Sequence, residues 1–244
     1  MENISSTKHQ ALSTRVALIT GASRGIGAAV AKRFASEGAH VILIARNSKD
    51  LEAVDDAIGG GATLVPLDLL EFDKIELLAA QVAQRFGKLD ILVGNAGLLG
   101  ELSPLTHTAP EDWDKVMALN VTANFHLIRC FDVLLKKSDS GRAMFVTSGV
   151  TARAAAYWGA YAVSKSALEA MVNIYAAENA KTSVKTNLID PGGVRTRMRA
   201  KAFPGEDPMA LPAPEDITDV FVKLARADFQ ETGEKFFVRS LRNQ

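Results

Sequence analysis

The sequence predicts an α/β protein built on an open, doubly wound and mainly parallel seven-stranded sheet with helices on both faces. Short apolar runs alternate with longer helical patterns along the 244 residues, and this rhythm favours βαβ units. The runs are almost continuously apolar, which is typical of strands that are covered on both faces. The sequence contains no repeat or linker, and one α/β domain commonly reaches this length.

The expected strands are residues 16–20, 41–45, 63–67, 91–94, 143–147, 184–189 and 235–238. The expected helices are residues 25–37, 48–58, 72–86, 110–136, 160–179 and 214–227. The polar residues 1–14 are expected to be a flexible tail before a single domain of residues 15–244. The proline-containing residues 203–213 are expected to form a binding loop or lid at the carboxyl edge of the sheet.

The composition argues against several function classes. The 28 Lys and Arg residues balance 28 Asp and Glu residues, so the chain lacks the basic excess of a nucleic-acid or membrane-surface binder. A single cysteine, Cys130, permits no internal disulfide, and no apolar run has signal-peptide or membrane-spanning length. We therefore expect a cytoplasmic protein. The four histidines show no ligand spacing, and no metal site is predicted.

A glycine-rich turn follows the first predicted strand. Its glycines are Gly21, Gly25 and Gly27, in the spacing Gly-x-x-x-Gly-x-Gly, and a helix follows. Glycine permits a tight turn and a close approach of a pyrophosphate to the backbone, and the start of a helix attracts phosphate. This placement indicates a dinucleotide-binding Rossmann fold.

The end of the second predicted strand distinguishes NADP(H) from NAD(H). An acidic residue there binds the ribose hydroxyls of NAD, whereas an arginine accommodates the 2′-phosphate of NADP. This strand ends in Ala45-Arg46, and the guanidinium of Arg46 suits phosphate oxygens. Arg24 in the glycine turn could approach the same phosphate. NADP(H) is therefore the expected cofactor, with NAD(H) as the alternative, while two solvated arginines would be the plain structural interpretation.

Tyr161 and Lys165 are four residues apart in a helical pattern, so they share one face. A nearby ammonium would lower the pKa of the phenol and favour its use as an acid and base. Ser148 ends the fifth predicted strand, where its hydroxyl could hold a substrate carbonyl near Tyr161.

At these residues the sequence resembles the short-chain dehydrogenase/reductase family, nearly from end to end. The matching motifs are the glycine turn that begins at Thr20, Asn95-Ala96-Gly97, Asn120, Ser148, Tyr161 with Lys165, Pro191-Gly192 followed by Thr196, and Asp68. The resemblance implies a cofactor site formed by Gly21, Ser23, Arg24, Gly25, Ile26, Gly27, Arg46, Asp68, Leu69, Asn95, Ala96, Gly97, Tyr161, Lys165, Pro191, Gly192, Val194 and Thr196.

The resemblance also implies roles for these residues. Tyr161 would exchange a proton with the substrate oxygen, Ser148 would fix the carbonyl, and Lys165 would hold the nicotinamide ribose.

Further implied roles leave a structural alternative open in most cases. Asn120 would anchor a water in a proton relay, or only bend its helix. Asp68 would bind the adenine amino group, or only make a turn. Thr196 would hold the nicotinamide carboxamide, or only cap a helix. Asn95 would pack beside the adenosine.

The expected activity is the interconversion of a carbonyl and an alcohol, with the substrate left open. A 3-oxoacyl thioester reductase is the alternative enzyme, and a non-catalytic NADP(H) sensor is the alternative of another class. Ala152, Ala154, Ala155, Ala156 and Trp158 are expected to line a roomy apolar substrate pocket. The resemblance also implies a homodimer or homotetramer.

Overall fold

The computed structural model describes residues 10–238 and contains one seven-stranded sheet. Its strands are β1 Val16–Thr20, β2 His40–Ala45, β3 Thr63–Pro66, β4 Ile91–Gly94, β5 Arg142–Val146, β6 Lys185–Asp190 and β7 Lys235–Phe237. The spatial order is β3-β2-β1-β4-β5-β6-β7, and every adjacent pair is parallel. The predicted sheet is thus confirmed. The strand order reverses at β1 and β4, and this is the point where such sheets bind ligands.

Alternate residues of each strand pack against opposite layers of helices. Ala17 and Ile19 of β1 belong to a core with helices α1 and α2, whereas Leu18 of the same strand belongs to a second core. The helices are α1 Gly25–Ser36, α2 Ser48–Ile58, α3 Phe72–Phe86, α4 Pro110–Met117, α5 Ala123–Lys136, α6 Gly159–Glu178, α7 Arg197–Ala202 and α8 Thr218–Ala225. The first core includes α8, and the second includes α3, α5 and α6. Both faces of the sheet are therefore covered, as predicted.

The long helix expected over residues 110–136 is divided in the structure. A π-helical turn, Ala118–Thr122, separates α4 from α5. Asn120 is fully buried in this turn, and its side chain bonds outside the helix. Such π-turns are common at functional sites.

Two shorter helices also differ from expectation. The expected helix over residues 214–227 begins with a 3₁₀ turn, Pro214–Ile217, before α8. Helix α7 lies outside the expected helices, because a segment of six residues is too short to show a helical period, although Thr196 was expected as a possible helix cap.

The expected flexible tail is only partly described, since residues 1–9 lie outside the described residues, as do residues 239–244 of the expected domain. Within the described part, Leu12 is fully buried in the first core, and its N–H donates to Glu37 O at 2.9 Å. Residues 10–14 therefore belong to the fold and differ from the loose tail that their polarity suggested.

Candidate active site

The glycine turn joins β1 to α1 through backbone that other residues would strain. Gly21 and Gly25 have φ values of +64° and +57°, in the left-handed region that favours glycine. A Cβ atom on Gly27 would lie 2.2 Å from Gly21 O, so the helix approaches the turn closely only because Gly27 has no side chain. No side chain among residues 10–238 caps the start of α1. The arrangement is an open backbone cradle suited to phosphate.

Asn95 braces this turn from the end of β4. Its Nδ2 donates to Thr20 O at 2.9 Å, and its backbone N–H donates to Thr20 Oγ1 at 2.9 Å. The same hydroxyl oxygen accepts from Ala96 N at 3.0 Å. The ends of β1 and β4, which flank the switch point, are thereby fixed to each other.

The ends of β2 and β3 form the next part of the same edge. Arg46 follows β2 and is exposed, as is Arg24 in the glycine turn. Asp68 follows β3, where its Oδ1 accepts from Leu70 N at 3.1 Å and shapes a turn. Asp68 therefore makes a turn, which was the structural alternative for this residue, and it also lines the cavity described below. Leu69 beside it is buried.

Ser148, Tyr161 and Lys165 converge where β5 ends against α6. Lys165 is only 3% exposed, and its Nζ donates to Val146 O at 2.8 Å. Its ammonium nitrogen lies 5.9 Å from the centroid of the Tyr161 ring. Tyr161 is also buried, and the Ser148 hydroxyl is close enough to its phenol to lower the pKa of that phenol. The three residues expected to be catalytic therefore form one cluster.

The pKa of Tyr161 is raised in this structure, whereas a net lowering was expected. Burial raises the pKa of Tyr161, hydrogen bonding with Ser148 opposes this rise, and the charge of Asp190 adds to it. Burial acts on the ammonium as well: it lowers the pKa of Lys165 to about 8, and the charge of Glu169 only partly opposes this. Tyr161 is consequently protonated at neutral pH.

Asn120 lies behind this cluster rather than beside the cavity. Its Oδ1 accepts from Leu98 N at 2.8 Å, and its Nδ2 donates to Leu98 O and to Ser164 Oγ, both at 2.9 Å. The side chain thus ties the segment after β4 to the helix that carries Tyr161.

The segment after β6 completes this edge of the sheet beside the glycine turn. Gly192 has a φ of +69°, and its N–H donates to Asp190 Oδ1 at 2.9 Å. Thr196 caps α7 by accepting from Arg199 N at 3.2 Å. A Cβ on Gly25 would lie 3.5 Å from Thr196 Cγ2, so this cap sits directly beside the glycine turn.

One cavity of about 1260 Å³ connects these parts. Of the expected site residues, those that line it are Gly21, Ser23, Arg24, Gly25, Ile26, Arg46, Asp68, Leu69, Asn95, Ala96, Gly97, Ser148, Tyr161, Lys165, Pro191, Gly192, Val194 and Thr196. Gly27 and Asn120 lie outside its lining and act from behind it. The expected constellation is therefore brought together along one edge of the sheet.

The wall near Tyr161 differs from the expected alanine pocket. Ala152, Ala154, Ala155 and Ala156 lie outside the lining of the cavity, and that expectation is wrong. The segment turns outward after β5, so most of these alanines are exposed. Aromatic side chains line this end instead, among them Trp158, as expected.

The aromatic wall is formed by Trp158, Tyr161 and Phe203. The Trp158 ring centroid lies 6.0 Å from that of Tyr161 and 5.6 Å from that of Phe203. Arg199 stacks on Phe203 at 3.7 Å and forms an ion pair with Glu206 at 2.6 Å. Phe203 begins the stretch expected to be a lid, and this contact places its first residue in the cavity wall.

Within residues 10–238, no three His, Cys, Asp or Glu side chains are grouped so that they could hold a metal ion. In the same part of the chain, no helix combines the length and apolar character needed to cross a membrane.

Comparison with known proteins identifies the family. The sequence model of the short chain dehydrogenases matches residues 15–207. The chain is 41% identical over 236 residues to YciK of Escherichia coli (strain K12), an uncharacterized oxidoreductase, and the match covers 94% of this chain and 93% of that protein.

Two solved structures share both sequence and fold with this chain. A short chain dehydrogenase of Escherichia coli CFT073, in complex with NADPH, is 39% identical with a TM-score of 0.91, covering 95% of this chain and 99% of that one. A short chain dehydrogenase of Shigella flexneri 2a strain 301, in complex with NADP, is 39% identical with a TM-score of 0.91, covering 95% of this chain and 100% of that one. This chain is an oxidoreductase that belongs to the short chain dehydrogenase family.

Proposed function

We propose that the protein interconverts a carbonyl and an alcohol by hydride transfer with NADP(H), using Tyr161 as the general acid and base. The observation that carries this proposal is a single cavity that contains both the phosphate cradle of α1 and the cluster of Ser148, Tyr161 and Lys165. A dinucleotide laid along the edge of the sheet would bring its reactive ring to that cluster.

The charge of the cavity fits a dinucleotide that carries several phosphates. Eight Lys and Arg residues line it against two Asp residues, although the whole chain has a net charge of zero. Arg24 and Arg46 stand exposed at the end where a 2′-phosphate would lie, and their guanidinium groups suit phosphate oxygens. The related structures with NADPH and NADP support the same choice, and NAD(H) is the second cofactor to test.

The residues of this chain supply orientation and a proton. The nicotinamide ring, when bound, donates or accepts the hydride. The Ser148 hydroxyl acts directly on the Tyr161 phenol, so both hydroxyls can bind one substrate oxygen. In reduction, the protonated Tyr161 donates its proton to that oxygen, and the Lys165 ammonium stabilises the phenolate that remains. In oxidation, the same phenolate takes the proton back.

Asn120 supports this chemistry from a distance. We assign it a positioning role, because its amide holds Leu98, the neighbour of Gly97 in the cavity wall. A Cβ on Gly97 would lie 3.5 Å from Lys165 Nζ, so this wall directly adjoins the ammonium.

The experiment combines the protein and NADPH with a panel of ketones, aldehydes and 3-oxoacyl thioesters, and follows the absorbance of the reduced nicotinamide. We expect Tyr161→Phe to lower the turnover by about 100-fold or more while NADPH binding remains. Tyr157→Phe is the matched control, because Tyr157 is 60% exposed and lies outside the cavity lining.

Each outcome of the panel decides between the candidate functions. Turnover that survives in Tyr161→Phe would refute the assigned acid. Turnover limited to acyl thioesters would favour the alternative reductase. Binding of NADPH without turnover of any substrate would favour a cofactor sensor.

Self-association is a second part of the proposal. Apolar side chains stand exposed on α5 and α6, including Val133 and Ile174, each 60% exposed. Covering such surface is favourable at about 25 cal/mol per Å². We propose that these helices pair subunits in a homodimer or homotetramer. Light scattering tests this by molar mass: the protein should have the mass of a dimer or tetramer, and Val133→Lys should lower it.

A further inference from the structure

The carboxylate of Glu169 accepts hydrogen bonds from three different parts of the chain behind Ser148. Its Oε1 accepts from Thr147 Oγ1 at 2.6 Å and from Lys235 Nζ at 2.7 Å. Thr151 Oγ1 lies 2.9 Å from the same oxygen. The end of β5, the turn after it and strand β7 therefore meet at one atom of α6.

Two residues of α6 hold consecutive residues at the end of β5. Lys165 and Glu169 are four residues apart, so they lie one turn from each other. Lys165 donates to Val146 O, and Glu169 accepts from the side chain of Thr147. Ser148 is the next residue. Its distance from the helix that carries Tyr161 is therefore set by these two contacts.

Lys235 extends the cluster to the far strand of the sheet. Its Nζ donates to Glu169 Oε1 and, at 2.8 Å, to Thr151 Oγ1. Thr151 Oγ1 also lies 3.0 Å from Ser148 O, so its single proton is shared between this carbonyl and Glu169. The side chains of Lys235 and Glu169 are only 21% and 19% exposed. Water competes weakly for such bonds, which are stronger than those at the surface.

We propose that Glu169, with Lys235 as its counter-ion, is a positioning residue that fixes Ser148 against α6 and places a negative charge one helical turn from Lys165. This inference rests on the proposed function, because Ser148 and Lys165 matter most when Tyr161 transfers a proton.

The charges around Lys165 support an electrostatic effect of Glu169 on the Lys165 ammonium. Burial lowers the pKa of Lys165 to about 8, and the negative charge of Glu169 acts in the opposite direction. Tyr161 faces Lys165 from the same helix. The charge of Asp190, at the end of β6, raises the pKa of Tyr161. Lys235 faces Glu169 from β7 and partly neutralises it. Changes at Glu169 and at Lys235 should therefore have opposite effects on Lys165.

Three variants separate the contact from the charge. Thr147→Val removes the hydroxyl that Glu169 holds and leaves every charge in place. Glu169→Gln removes the charge and keeps the size of the side chain. Lys235→Met removes the counter-ion. Glu178→Gln, an exposed change on the same helix, is the matched control.

The expected results differ in kind. Thr147→Val lowers kcat about fivefold, the rate equivalent of one hydrogen bond, with little change in NADPH affinity. The alkaline limb of the dependence of kcat on pH is expected to follow the pKa of Lys165. Glu169→Gln moves this limb to lower pH by roughly 0.5 to 1 unit, whereas Lys235→Met moves it to higher pH. Thermal unfolding verifies that each variant is folded. Folded variants with the parental kcat and the parental alkaline limb would overturn the inference.

A second measurement requires no turnover. The absorbance of phenolate, taken as the difference between the protein and Tyr161→Phe, reports the titration of Tyr161. Because hydrogen bonding with Ser148 lowers the pKa of Tyr161, Thr147→Val should raise that pKa. If the parent turns over no substrate, the proposed function fails. The Tyr161 titration then decides about Glu169 and its cluster alone, and an unchanged titration in Thr147→Val refutes the positioning role.

Discussion

Lys165→Met should change how the stability of the protein depends on pH. Lys165 is 3% exposed, and burial lowers its pKa to about 8 from the ordinary 10.5. Below pH 8 the folded protein carries a buried ammonium, which destabilises it. Between pH 8 and 10.5 the unfolded chain binds a proton that the folded chain has released. Stability therefore rises with pH across that window.

The magnitude follows from the difference between the two pKa values. One unit corresponds to about 1.4 kcal/mol, so the free energy of unfolding gains about 3 kcal/mol from this group between pH 8 and 10.5. Methionine lacks the titrating group and shows no such gain. At pH 7 the variant also loses the bond from Lys165 to Val146 O. Losing that bond costs about 1 to 2 kcal/mol, so the variant should be more stable there by only about 1 to 2 kcal/mol.

Denaturant unfolding of the protein and of Lys165→Met, measured at several values between pH 7 and 10.5, tests this reasoning. The difference between the two curves removes the contributions of all other titrating groups. Lys181→Met provides the control, because Lys181 is exposed. A difference that stays constant with pH would refute the idea that the buried ammonium destabilises the fold.

Three further changes test the framework of the site. Asn120→Ala removes three side-chain hydrogen bonds, of which one is buried and two are partly buried. This should lower the free energy of unfolding by about 3 kcal/mol, whereas the exposed Asn173→Ala should not; urea unfolding measures both. Gly27→Ala places a Cβ 2.2 Å from Gly21 O, so NADPH affinity, measured by fluorescence titration, should fall about tenfold or more. Arg46→Ala should reduce the preference for NADPH over NADH about tenfold, and an unchanged ratio of the two dissociation constants would contradict its role.

The sheet could be predicted from the sequence because its signal is local. Each strand is a short apolar run covered on both faces, and all seven expected runs overlap observed strands. The site motifs follow directly from the ends of these strands. Gly21, Asn95 and Ser148 each come directly or nearly directly after a strand, and parallel strands bring those ends to one edge.

The missed features depend on contacts between residues far apart in the sequence. The π-turn at Asn120 accompanies bonds to Leu98 and Ser164, which no helical period reveals. The aromatic wall depends on Phe203 reaching Trp158 across the cavity. Glu169 looks like one more polar helix residue until Lys235 and the end of β5 are placed beside it. The sequence signal for Glu169 is limited to its position four residues after Lys165, which places both residues on one helix face.

The buried cations at the two edges of the sheet differ in how many of their hydrogen-bond donors are used, and this difference explains where chemistry can occur. At the amino edge, Arg142 is 2% exposed, and its guanidinium makes five bonds to carbonyl oxygens, including those of Ala227 and Phe229. All its donors are used, so none is left to bind a ligand. At the carboxyl edge, Lys165 donates to one carbonyl among residues 10–238 and keeps the remaining donor capacity of its ammonium. A ligand that accepts those bonds would relieve the destabilisation that burial imposes, so binding and stability should rise together at this edge.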